Sequence, residues 1–313
     1  MTTINTVTGT IDSSELGYTL VHEHILSTSA GIKEVYPEFI DKETTIHTAI
    51  THLEQCKNEG ISTVIDMAPF DLGRDVLLLE EISKKTNINI ITTTGSWIAP
   101  PREFVGTDPD LIAPLYVREI TEGIQGTGIK AGVIKISTDR EGVTQRFDSV
   151  SRAVARAHLQ TGVPVLTHTY SPAFVGNEQV RILEEEGVDL NRVCVGHSND
   201  TTNINYLKGL MDKGAWLGLD HFPGTNPDWD TRTLIIKELI DLGYAEKIML
   251  SHDFNLGKHN ANLNDQVARW ERNPDGYLFI KHKVLPRLIE LGVSEKDVNA
   301  LNEDNVRRFF ENK

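Results

Sequence analysis

Eight short β-branched runs recur along nearly the whole chain, and that repetition constrains the fold more than anything else in it. The runs are Tyr18–Glu23, Ser62–Met67, Asn87–Thr93, Ala131–Ser137, Pro164–Thr169, Arg192–Gly196, Ala215–Asp220 and Lys247–Ser251. Between them lie stretches with helical spacing. Examples are Ile46, Ile50, Leu53 and Cys56; Val150, Val154, Ala157 and Leu159; and Leu234, Ile235, Leu239 and Leu242. Gly60, Gly162, Gly187, Gly214 and Gly243 sit where a helix should stop before the next strand. Strand, helix and glycine in alternation predict a parallel sheet built of βα units. Several runs are almost continuously apolar, as expected of strands buried on both faces. Eight units suit a closed (β/α)8 TIM barrel better than an open sheet. An open sheet would advertise a glycine-rich phosphate turn after its first strand, and none is present here. No linker or charge block divides the chain, so one domain over residues 1–313 is expected. The segment from Gly276 to Lys313 reads as further helices under the barrel.

Composition narrows the function classes. The 313 residues carry 31 Lys+Arg against 45 Asp+Glu, a net charge of −14. Such a surface repels nucleic-acid backbones and anionic membranes, so neither is an expected partner. No run is long and apolar enough for a membrane span, and the first residues lack a signal-peptide pattern. Cys56 and Cys194 form no CxxC pair and read as buried thiols. A soluble chain of a reducing compartment, the cytoplasm, is the expectation. The 11 His are numerous for this length, and imidazole is the commonest metal ligand.

In a TIM barrel the chemistry sits at the C-terminal ends of the strands. Here the first strand ends in His22-Glu23-His24, the fourth carries Lys135, and the fifth ends at His168. The sixth ends at His197 and the eighth at Asp253. Strand alternation puts His22 and His24 on one face. Buried imidazoles need partners, and a cation is the natural shared one. The other histidines (His47, His52, His158, His252, His259 and His282) fall on helices or loops or point off the site. Lys135 cannot ligate a metal as an ammonium. Either it faces away, or it has taken up CO2 to become an anionic carbamate able to bridge two divalent ions.

These residues carry a resemblance. The stretches Leu20-Val21-His22-Glu23-His24-Ile25, Ser29-Ala30-Gly31, Phe70-Asp71-Leu72-Gly73-Arg74-Asp75 and Gly132-Val133-Ile134-Lys135 are similar to those of the bacterial phosphotriesterases, in the amidohydrolase superfamily. So are Thr167-His168-Thr169, Val195-Gly196-His197-Ser198, Gly218-Leu219-Asp220-His221 and Ser251-His252-Asp253. The similarity spans essentially the whole chain. It implies a homodimer with a binuclear site, usually zinc, with Co2+, Mn2+ or Fe2+ as other occupants. His22, His24 and Asp253 would hold one metal and His168 and His197 the other, bridged by carboxylated Lys135 and a hydroxide. Asp253, His221 and Asp200 would form a proton relay.

Relatives in this family divide into phosphotriesterases and lactonases. The lactonase type carries a Tyr after strand 3 and an Arg after strand 7. This chain has Thr94-Gly95-Ser96-Trp97 and Asp220-His221 there, which match the phosphotriesterase pattern. Asn273-Pro274-Asp275-Gly276 and Trp229-Asp230-Thr231-Arg232 match it too. The segment between His221 and Trp229 is shorter than in the best-known phosphotriesterases, and Lys258 stands where they present an aromatic. Trp97 and Ile98 are the expected apolar pocket wall, with Tyr170, Arg140 and Lys258 on rim loops. So few cations imply a small neutral ester, phosphotriester or lactone as substrate. Phosphotriester hydrolysis is the leading expectation and acyl-lactone hydrolysis the second. A mononuclear, deaminase-like hydrolase and a non-catalytic binding protein on the same scaffold stay open.

Overall fold

Eight parallel strands stand side by side in chain order in a computed structural model that describes residues 2–257 and 263–312. A short antiparallel hairpin precedes them, β1 (Thr3–Thr6) and β2 (Gly9–Asp12). The barrel strands are β3 (Tyr18–Glu23), β4 (Ile61–Asp66), β5 (Asn89–Gly95), β6 (Val133–Ser137), β7 (Val165–His168), β8 (Val193–Val195), β9 (Trp216–Leu219) and β10 (Ile248–Leu250). Each lies within two residues of its sequence-based position. The hairpin was not foreseen. Asn87 also departs from expectation: it ends a helix in left-handed backbone, φ 52°, rather than starting a strand. An Asn tolerates that conformation because its short polar side chain bonds locally. The five helix-stop glycines all have positive φ, between 71° and 105°.

Two concentric cores follow from strand alternation. Facing inward, the barrel strands contribute Val21, Ile65, Ile91, Val133, Leu166, Cys194, Trp216 and Met249, one from each, to a closed lumen. Facing outward, residues such as Leu20, Val64, Ile90, Ile134, Val165 and Leu217 pack under the helices. Asp41, Asp75 and Asp228 cap helices by accepting a backbone N–H, as the neutral Asn203 does, so part of the acidic excess has a local structural use.

The lower mouth is sealed by both chain ends. Ile4 of the hairpin and Val306, Phe309 and Phe310 of the helix Asp304–Glu311 join the lumen cluster. The ring closes between β10 and β3 without a continuous ladder. Below, Asn302 donates to the carbonyls of Thr19 and Leu250, both at 2.8 Å. Above, Asp253 N–H reaches the His22 carbonyl at 3.0 Å, and His24 N–H reaches that of Phe254 at 3.1 Å. The upper seam therefore joins two segments that carry expected ligands.

Local irregularities aim those ligands. From Leu20↔Val64 to Glu23↔Asp66, β3 advances three residues and β4 two, which is a bulge. Plain alternation would send Val21 and His22 to opposite faces; the bulge lets both face inward. Lys135 and His168 need no such device, each two residues beyond an inward-facing neighbour. His197 and Asp253 adopt left-handed backbone, φ 55° and 52°. For residues other than glycine this costs on the order of 1–3 kcal/mol.

Candidate metal centre

Five imidazoles, two carboxylates and one amine converge at the upper mouth. His22 Nδ1 lies 3.0 Å from Asp220 Oδ2, and His197 Nδ1 2.8 Å from Asp220 Oδ1. Asp220 is buried, and burial alone would raise its pKa. The His197 and His22 charges and their hydrogen bonds outweigh that and hold it far below the ordinary range. His22 behaves oppositely: burial and the neighbouring Lys135 push it down to about 4. The stable arrangement is an ionised Asp220 that accepts N–H from a neutral His22. The tautomer is thereby set, and the Nε2 lone pair of His22 faces the mouth. His197 presents Nε2 in the same way.

Those free nitrogens meet one another and Asp253. His24 Nε2 is 3.0 Å from Asp253 Oδ1, and His22 Nε2 is 3.8 Å from the same oxygen. His197 Nε2 is 2.6 Å from His168 Nδ1. Burial, then the charge of His197, drive His168 well below its usual value, so it stays neutral. Nitrogens that close, without a carboxylate between them, suit a shared cation better than a shared proton. His24 Nδ1 is buried and has no hydrogen-bond partner, another polar atom that packing does not explain. The ligand atoms of His22, His24 and Asp253 all lie within 4.8 Å of one another, as do those of His22, His197 and Asp220 and of His197, His221 and Asp253. Such clusters can bind a metal ion, with His22, His24 and Asp253 the group least committed to other partners.

His221 is different in kind. Its Nδ1 is 2.7 Å from Asp200 Oδ2 and its Nε2 2.9 Å from Asp253 Oδ2. Burial lowers its pKa, but the two carboxylates outweigh that and raise it to about 10. With a carboxylate at each nitrogen it carries two protons and is poorly suited to ligate. It suits proton transfer. Asp200 does not cap the following helix; Asn203 does.

Lys135 is fully buried in the same cluster. Its Nζ donates to the Met67 carbonyl at 2.9 Å and lies 3.4 Å from His22 Nε2. Burial lowers its pKa against the pull of Asp253 and other carboxylates, which favours the neutral amine. The backbone of β6 packs closely on β5 at this level: a Cβ on Gly95 would sit 2.0 Å from the Lys135 carbonyl oxygen.

Several supports were not foreseen. Glu23, between the two histidines, accepts from Ser251 Oγ, His252 N, His252 Nδ1 and Phe254 N, at 2.6–3.0 Å. It pins the turn that presents Asp253. Arg232 donates to Asp200 Oδ1 at 2.6 Å and to the Asn199 carbonyl at 2.7 Å, holding the far end of the expected relay. Asp71 accepts the Trp97 N–H at 2.9 Å and the Ala99 N–H at 3.2 Å. Asp220, Arg232 and Asp71 sit inside motifs already noted, but their partners are remote in sequence.

The expected pocket residues separate. Trp97 stands edge-on to the His168 ring, with centroids 6.3 Å apart. Ile98 beside it is half-buried. Arg140 and Tyr170 lie elsewhere, in a cleft of about 700 Å³ that also has Asp200, Thr201, Thr202, His221, Thr225 and Asn226 in its lining. That cleft is polar. Trp97 and Ile98 are outside its lining. Lys258 lies outside the described residues.

Comparison with known proteins agrees with this architecture. The phosphotriesterase family model matches residues 2–310. The "Phosphotriesterase homology protein" of Mycobacterium tuberculosis (strain H37Rv) is 35% identical over 325 residues, covering 99% of this chain and 98% of that protein. The "Aryldialkylphosphatase" of Saccharolobus solfataricus is 35% identical over 309 residues, covering 96% of each. A solved structure of the phosphotriesterase from Mycobacterium tuberculosis superposes with a TM-score of 0.93 at 36% identity, over 99% of this chain and 98% of that one. By its sequence over nearly its whole length, and by its eight-stranded fold, this chain belongs to the phosphotriesterase family.

Proposed function

We propose that this chain is a two-metal hydrolase of phosphotriesters. The observation that supports this best is the convergence of His22, His24, His168, His197 and Asp253 beside a buried Lys135. His22, His24 and Asp253 would hold one ion, and His168 and His197 the other. Bound divalent ions, zinc foremost, supply a nucleophile at neutral pH and polarise the reacting oxygen.

The chain's own residues do the rest. Burial favours the neutral form of the Lys135 amine, and that form can attack CO2: an N–C bond forms, one proton leaves, and an anionic carbamate with two oxygens remains. Asp253 accepts the proton released in the reaction. With the charge of Asp253 taken up by bound ions, His221 would keep only the Nδ1 proton that it shares with Asp200; it can then take the proton at Nε2 and pass the Nδ1 proton to Asp200, whose other oxygen Arg232 keeps in place. Trp97 walls the mouth beside His168. Lactone hydrolysis is the second reading, and the polar lining of the cleft next to His221 favours it.

The test is a kcat/KM comparison on diethyl 4-nitrophenyl phosphate and on acyl-lactones, with metal content measured on the same samples. A triester preference with two ions per chain is expected. A lactone preference of several orders of magnitude would move the activity to the second reading. One tightly held ion, unaffected by Lys135→Ala, would point to a mononuclear hydrolase.

A further inference from the structure

The cleft beside His221 has an uneven charge distribution. Arg232 and Arg140 both line it. Arg232 is buried and spent on Asp200, Asn199 and Pro227. Arg140 is exposed, and its guanidinium makes no ion pair among the described residues. It lies over the face of Tyr170, with Cζ 5.1 Å from the ring centroid. Stacking restricts the guanidinium and leaves its N–H edge open. In a chain of net charge −14, an unpaired cation on a concave wall is an exception that calls for a ligand. Thr201, Thr202, Thr225 and Asn226 add neutral hydrogen-bonding groups on the same walls.

We propose that this cleft holds the far end of a substrate that bears a carboxylate, with Arg140, stacked on Tyr170, as the specificity-determining residue. The proposal rests on the hydrolase reading above and sharpens it. The reacting group remains neutral, while the tail carries the charge. A planar carboxylate matches the guanidinium fork. Because Arg140 is exposed, the attraction should weaken with salt.

A matched pair of probes tests it: 5-oxotetrahydrofuran-2-carboxylate and its methyl ester, two lactones that differ in one charge. Binding to the metal-loaded protein is measured by calorimetry, and turnover separately. The acid should bind at least about tenfold more tightly than the ester. Arg140→Ala should abolish that preference, Arg140→Lys should keep part of it, and added salt should narrow it. Equal binding of both probes, binding of neither, or a preference that survives Arg140→Ala overturns the proposal. The last result would mean that the carboxylate sits on the metals. Arg140-dependent binding without turnover of either lactone would leave this proposal standing and count against the lactonase reading. Turnover without discrimination would do the reverse.

Discussion

Two populations of largely buried histidine occupy this molecule. Away from the mouth, His52, His158 and His252 are each satisfied by their own surroundings. His52 Nε2 accepts the Tyr277 N–H at 2.9 Å, and His158 Nδ1 donates to the Val163 carbonyl at 2.8 Å. His252 bridges Glu23 and the Ile280 N–H. At the mouth, His22, His24, His168, His197 and His221 turn toward one another, with ring centroids as close as 3.8 Å for His197 and His221. Their common partners are the carboxylates Asp220 and Asp253. Solitary buried imidazoles are part of the fold's hydrogen bonding. The clustered ones gain little from packing and converge on the same space, as side chains able to hold a metal ion do.

The comparison can be broken most directly at His168. His168→Ala should lower metal content and reduce kcat/KM by more than the roughly 100-fold seen for outer partners of metal ligands. The metal-free protein should meanwhile unfold at the same or higher urea concentration. A large loss of metal-free stability would place His168 with the structural histidines.

His52 gives the converse. Burial lowers its folded pKa to about 4, whereas the unfolded imidazole titrates near 6.5. The unfolded chain therefore binds more protons between these values. The stability His52 contributes is present above about pH 6.5 and is lost as pH falls toward 4, by up to roughly 3 kcal/mol. His52→Gln keeps an acceptor for Tyr277 and removes the titration. The difference between the two urea midpoints should shrink from pH 7 to pH 4.5, with no change in metal content at neutral pH. A difference independent of pH would show that His52 is not titrating as its burial requires.

Asp220 sharpens the distinction with the smallest effect. Asp220→Asn leaves one amide oxygen for two imidazole N–H groups. One of His22 and His197 then loses its fixed tautomer, and metal affinity should drop about 10–100-fold. An unchanged affinity would mean that the rings are oriented by packing alone.

Much of this site is legible because a parallel strand advertises its end. Lys135 and His168 lie two residues beyond inward-facing Val133 and Leu166, so period-two alternation is enough to put them at the mouth. The supports are not legible in that way. Glu23 meets residues 228 to 231 positions away, and Asp220 reaches back 198 positions to His22. No local pattern encodes pairings that exist only once the ring has closed. His22 itself would be misread by strict alternation from Val21 without the bulge in β3. The expected pocket residues lie on loops, which carry no period, so their grouping could not be read locally.

The sequence by itself determined the repeating βα architecture, the glycines that end its helices and the strand-end residues that meet at one rim. Those follow from local periodicity and from φ preferences, which act over a few residues. The tertiary structure alone decided which nitrogen each imidazole presents, how Asp253 and Asp200 bracket His221, and that Arg140 and Trp97 face different spaces. Such choices depend on distances between side chains far apart in the chain, and those distances come into being only when the ring closes.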